Sequence, residues 1–146
     1  MFKGKGYAEL RKGRYSEVEF AYHLVFSTAK REPVFADFYR ARYLIGLLKK
    51  CEQQGFAQTM AFVVMPDHVH WLFELKEGSV SGLIQRVKSF YTKNEGRNIW
   101  NKGFYDHAIR TDEDLTAVAR YIVANPLRAG LVKRVGDYPH WDAVWL

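Results

Sequence analysis

The stretch Phe56-Ala57-Gln58-Thr59-Met60-Ala61-Phe62-Val63-Val64-Met65-Pro66-Asp67-His68-Val69-His70-Trp71-Leu72-Phe73-Glu74-Leu75 reads as two strands around a tight turn. Phe56 to Met65 and His68 to Leu75 are rich in aromatic and β-branched residues, and Pro66-Asp67 supplies turn chemistry between them, so a hairpin is expected. Amphipathic helices flank it. Before it, Phe38, Ala41, Leu44, Ile45, Leu48 and Cys51 recur at steps of three and four between Asp37 and Gln54, and Gly55 stops the pattern. After it, Lys76-Glu77-Gly78 closes the hairpin. A helix then runs from about Ser79 to Asn94, with Val80, Leu83, Ile84, Val87 and Phe90 on one face and Gln85, Arg86, Lys88 and Lys93 pointing away. Gly96 ends it.

Further out, Glu19 to Thr28 has the composition of a buried strand, broken by Lys30-Arg31-Glu32-Pro33, and Phe104 to Arg110 is a short strand. Thr111, with Asp114 three positions on, forms an acidic capping box before Leu115, Val118, Ala119 and Ile122. That helix should stop near Asn125, because Pro126 pushes the preceding residue out of the helical region. The resulting order is strand, helix, strand, strand, helix, strand, helix. It predicts an α+β, ferredoxin-like split βαβ fold with an antiparallel sheet and an additional C-terminal helix that carries Tyr121. The tail from Leu131 to Leu146, with Tyr138, Trp141 and Trp145, is expected to fold back onto the domain.

A chain of 146 residues that is 48% hydrophobic and 26% charged suits one domain, expected over residues 19–146 behind a basic arm at 1–18. That excludes a multidomain machine. The 22 Lys and Arg against 16 Asp and Glu leave +6, which favours an anionic partner and makes nucleic acid the leading class. A single cysteine, Cys51, excludes an internal disulfide framework and points to a reducing, cytoplasmic setting. No apolar run approaches the roughly 18 residues that span a bilayer, so neither membrane insertion nor secretion is expected.

Two segments carry the chemistry. In His68-Val69-His70 the side chains of a strand alternate, so both imidazoles leave the same face and can converge on one metal ion, while Val69 enters the other layer. The plain alternative is a pair of surface histidines around a buried valine. Far along the chain, Tyr121 and Asn125 are four apart, which puts a phenol and an amide on one helix face, a nucleophile beside a possible third ligand. Equally, such a tyrosine can be a boundary residue, and Asn125 a helix stop before Pro126.

These segments resemble the single-tyrosine HUH transposases, most closely the REP-associated tyrosine transposase branch. Resemblance extends over Gly13-Arg14-Tyr15, Met65-Pro66-Asp67-His68-Val69-His70, Lys88-Ser89-Phe90-Tyr91, Trp100 to Arg110, and Tyr121 through Val132. It implies that His68 and His70 bind a divalent metal, that Tyr121 is the nucleophile, and that Asn125 is the third ligand. It implies Mg²⁺ or Mn²⁺, where ligand softness alone would also allow Zn²⁺. The product would be a 5′-phosphotyrosine and a free 3′-hydroxyl at single-stranded, hairpin-forming DNA. By the same resemblance the arm residues Lys3, Lys5, Arg11, Lys12 and Arg14 would read sequence beside a palindromic hairpin.

Arg86, Lys88 and Lys93 are candidates for tracking phosphates, against a solvated helix face. Tyr91 is a rival nucleophile, but Glu95 rather than a neutral ligand stands four positions on. His107 is a candidate proton shuttle, His23 and His140 have no motif behind them, and Arg128 either steadies a helix end or touches DNA. Two other functions remain open: an RNA- or single-stranded-DNA-binding ferredoxin-like module, to which Lys102-Gly103-Phe104-Tyr105 is a poor match, and a water-using metal-dependent nuclease. A monomer is expected, the short last helix favouring a site built within one chain, and a dimer is the alternative.

Overall fold

The computed structural model describes residues 20–110 and 112–145. Its elements are β1 (Ala21–Ser27), α1 (Phe38–Gln53), β2 (Ala57–Val64), β3 (His68–Leu75), α2 (Val80–Glu95), β4 (Tyr105–Ile109), α3 (Asp112–Val123), α4 (Asn125–Arg128) and β5 (Trp141–Ala143). Short 3₁₀ turns at Ala29–Arg31, Val34–Ala36 and Val135–Asp137 link them. The sheet has the order β4-β1-β3-β2-β5 with every neighbour antiparallel, the ferredoxin-like arrangement extended by one edge strand.

Local chemistry sets the helix limits. The Asp37 carboxylate accepts the backbone N–H groups of Tyr39 and Arg40 at the start of α1, and Ser79 Oγ accepts that of Gly82 at the start of α2. Gly96 ends α2 at φ 86°, a left-handed conformation that costs a residue with a Cβ.

Alternation along the strands splits the interior into two layers. Leu24, Phe26, Val69, Trp71 and Phe73 face α1 and α2, where Leu44, Leu48, Leu83, Ile84 and Val87 complete the larger core. Ala21, Val63, Leu72 and Ile109 face the other way and pack against Ala119, Ile122 and Val123 of α3. His23, His68 and His70 share the parity of this second face, so the fold places them under the helix that carries Tyr121.

Two details depart from the sequence pattern, and a third bears it out in a more definite form. Phe90, expected on the core stripe of α2, is 44% exposed, and Tyr91 takes the inward position with no exposure. Pro126 does not end the helical path: α3 stops at Val123, and Pro126 enters the first turn of α4, where a missing N–H costs nothing. The tail does fold back, and does so as a strand, β5, paired with β2 through Ala61, Phe62 and Val63. Thr111 and the arm at 1–18 lie outside the described residues. No helix among the described residues is long and apolar enough to cross a membrane.

Candidate active site

The turn before His68 is anchored before the histidine begins. The Thr28 N–H donates to the Asp67 carbonyl at 3.0 Å while its hydroxyl donates to the Glu32 carbonyl at 2.8 Å, and the Phe35 N–H donates to the Pro66 carbonyl. His68 therefore starts β3 from a fixed point. Its Nδ1 lies 2.8 Å from Asp67 Oδ1, while Asp67 Oδ2 pairs with Arg31 Nε at 3.2 Å. A carboxylate can only accept, so it holds the His68 proton on Nδ1 and leaves the Nε2 lone pair free.

His70 stands two residues on, its ring centroid 5.0 Å from that of His68. It is buried, and its Nδ1 lies 2.9 Å from Nε2 of His23 on the adjacent strand β1, the two rings stacked at 5.1 Å. Burial, then the imidazoles of His23 and His68, then the charge of Arg128, lower the His70 pKa to about 3. Burial and the neighbouring His107 lower that of His23 to about 4. Both imidazoles are thus neutral near pH 7, the state in which histidine ligates metals.

Tyr121 comes to this pair from the helical layer. Its ring meets His70 edge to face at 6.2 Å and His23 at 6.5 Å, and its side chain is half-exposed, open to a substrate. Arg128, seven residues later and so on the same helical face, lays its guanidinium 3.9 Å from the ring centroid and donates to the Tyr121 carbonyl at 2.9 Å. Asn125 lies between them in sequence, at the first residue of α4, and its Nδ2 is buried without a hydrogen-bond partner. Half a rotation of that amide offers oxygen lone pairs in the same place.

Among the described residues no three His, Cys, Asp or Glu side chains gather around one point. A divalent ion would therefore need a donor of another type. Two imidazoles and an unpartnered amide supply donors of that kind, and a set without carboxylates leaves charge on the ion for a phosphate.

Other polar residues fall elsewhere. Tyr91 is buried in the opposite layer, where its hydroxyl donates to Glu95 at 3.1 Å; burial, then Glu95, push its pKa above the ordinary phenol value. This rules against it as a nucleophile. Arg86 stacks over Phe56 at 4.4 Å, and Lys88 donates to the carbonyls of Asn101 and Gly103, so both are engaged within the fold. Lys93 is exposed and lines, with Lys102, Ser89, Thr92 and Asn98, an open groove of about 500 Å³. Asn101, on the rim of that groove, donates to Ser27 Oγ at the end of β1 that faces His68.

The sequence pattern of the family described as IS200-like transposases matches residues 16–125. The chain belongs to the IS200-like transposase family. The IS200-like chain is 39% identical over 82 residues to the REP-associated tyrosine transposase of Escherichia coli K12, covering 54% of this chain and 50% of that protein. A Haemophilus influenzae Rd protein provisionally assigned to the same class is 33% identical over 107 residues, covering 62% and 60%. The chain thus spans half to three-fifths of the length of these curated relatives. A solved REP-associated tyrosine transposase bound to a REP hairpin matches with a TM-score of 0.78 and 28% identity, over 88% of this chain and 79% of that one.

The structure adds three residues to the four singled out by spacing. Asp67 had a signal, since it adjoins His68. Arg128 had one too, at two helical turns from Tyr121, but Pro126 between them read as a break. His23 had none, because its pairing with His70 depends on strand register.

Proposed function

We propose that this domain is a DNA strand transferase that cleaves single-stranded DNA beside a palindromic hairpin and rejoins the ends through a 5′-phosphotyrosine on Tyr121. The observation that carries this is the half-exposed Tyr121 phenol set against the His68 and His70 pair and covered by Arg128. Support for the substrate class comes from the similar protein solved with a REP hairpin.

A phenol has a reference pKa of about 10 and needs help from positive charge to attack at neutral pH. Arg128 supplies one such charge and fixes the ring by stacking. Tyr121 Oη attacks phosphorus in line, the bond from phosphorus to the 3′-oxygen breaks, and that oxygen leaves with a proton as a 3′-hydroxyl. The 5′-phosphate remains esterified to tyrosine. An incoming 3′-hydroxyl reverses the step, so rejoining needs no outside energy source. His68, His70 and Asn125 would hold Mg²⁺ or Mn²⁺, which when bound neutralises charge on the phosphate oxygens and favours in-line geometry. Asp67 keeps His68 in the ligating tautomer. The groove beside Lys93 and Lys102 and the basic arm at 1–18 suit the flanking phosphates.

A hairpin oligonucleotide labelled at its 3′ end tests this in the presence of Mg²⁺ or Mn²⁺. The wild type should give a labelled, denaturation-resistant protein adduct, and Tyr121→Phe should give neither adduct nor cleavage. Undiminished cleavage by Tyr121→Phe would show a water-using nuclease instead. Salt-dependent binding without cleavage by the wild type would show a binding module.

A further inference from the structure

The two histidines of the pair are held from behind in different ways. His68 leans on a carboxylate, whereas His70 leans on another imidazole, His23. A carboxylate fixes the tautomer of its partner without ambiguity, but an imidazole can accept or donate. Only one arrangement leaves His70 able to ligate: Nδ1–H of His70 donates to Nε2 of His23, which keeps its own proton on Nδ1. In the reverse arrangement His70 carries a proton on Nε2 and presents a donor where a lone pair is required.

We propose that His23 is a positioning residue that accepts the Nδ1 proton of His70 and so fixes the ring and tautomer through which His70 ligates the metal. This inference rests on His68 and His70 forming the metal site of the proposed function. Strand register makes it possible: Val25 lies opposite His70 and His23 opposite Leu72, so His23 and His70 are diagonal neighbours on the same face. The distance of 2.9 Å and the stacked rings at 5.1 Å leave His70 little freedom to turn.

The choice of imidazole has a physical logic. A carboxylate behind each histidine would place two negative charges beside an incoming phosphate. His23 provides the acceptor without the second charge, and its ring also meets Tyr121, at 6.5 Å, so one side chain supports both ligand and phenol.

Two variants separate acceptor from packing: His23→Phe keeps an aromatic ring but no acceptor, and His23→Gln keeps an acceptor but no ring. In the metal-free wild type, long-range ¹H–¹⁵N correlation should show His70 protonated on Nδ1 and bare on Nε2, a pattern kept in His23→Gln and lost in His23→Phe. Mn²⁺ affinity, read by electron paramagnetic resonance of the free ion, should fall by roughly 10- to 100-fold in His23→Phe and stay near the wild-type value in His23→Gln. A wild-type His70 protonated on Nε2 overturns the proposal, and Mn²⁺ binding by that same protein shows that the metal site stands without it. So does unchanged Mn²⁺ affinity in His23→Phe, or equal loss in both variants. Absence of Mn²⁺ binding by the wild type overturns the ligand assignment itself and the role of His23 with it. The tautomer measurement on the wild type needs no variant to fold.

Discussion

Arg128 illustrates how much one side chain does at this site. Its guanidinium stacks on the Tyr121 ring and donates to the carbonyl of the same residue, bridging from α4 back to α3 across Ala124. Lysine would keep the charge but lose the planar stacking and the directed donor. Arg128→Lys should therefore slow adduct formation by about 5- to 30-fold, the equivalent of losing 1–2 kcal/mol of positioning, while Mn²⁺ affinity stays unchanged. Single-turnover adduct kinetics beside a metal titration check this; a parallel loss of Mn²⁺ affinity would mean that Arg128 shapes the ligand set instead. At this scale the sequence was readable where spacing alone decides geometry: two residues along a strand for His68 and His70, four along a helix for Tyr121 and Asn125. It was unreadable where geometry depends on the partner strand, which is why His23 looked like a histidine without a motif.

The elements were legible in order and closely in extent, because hairpin, helix stripes and glycine stops are local signals. Their orientation was less so. Helix α2 offers both Phe90 and Tyr91 to a core that has room for one, and the choice falls to Tyr91 because Phe35, Tyr43 and Trp100 form an aromatic nest around it. Its hydroxyl is accommodated by Glu95, which also pairs with Arg40 at 3.2 Å. Tyr91→Phe removes one hydrogen bond and leaves Glu95 with Arg40. It should cost about 0.5–1.5 kcal/mol in denaturant unfolding and leave adduct formation at the wild-type rate. Loss of the adduct would transfer the nucleophile from α3 to α2. Lys88 shows the same limit of local reading: its position on the polar stripe suggested a phosphate contact, and the fold turns it onto the carbonyls of the loop after α2.

Across the whole molecule, the sheet separates a dry, aromatic layer from a layer where histidines are buried beneath a helix. The surplus of +6 favoured an anionic partner without placing it; the fold sets Lys93 and Lys102 along one open groove and Arg128 over Tyr121 on the α3 face. That design carries a cost in acid. His23 and His70 have folded pKa values of about 4 and about 3, below the unfolded value of about 6.5. Well above pH 6.5 both states bind the same protons at these sites, and their contribution to stability is intact. As pH falls through the window, the unfolded chain takes up protons that the folded chain refuses, and stability is lost by roughly 1.4 kcal/mol per pH unit for each proton excluded. Between pH 6.5 and 5 most carboxylates remain ionised, so the histidines dominate the slope there. The metal-free protein should therefore show a melting temperature that drops over this interval, and His23→Gln should drop less steeply because one excluded proton is gone. Melting curves of the two proteins in chelator at half-unit steps of pH decide the matter; superimposable slopes would mean that the buried histidines take up protons without opening the fold.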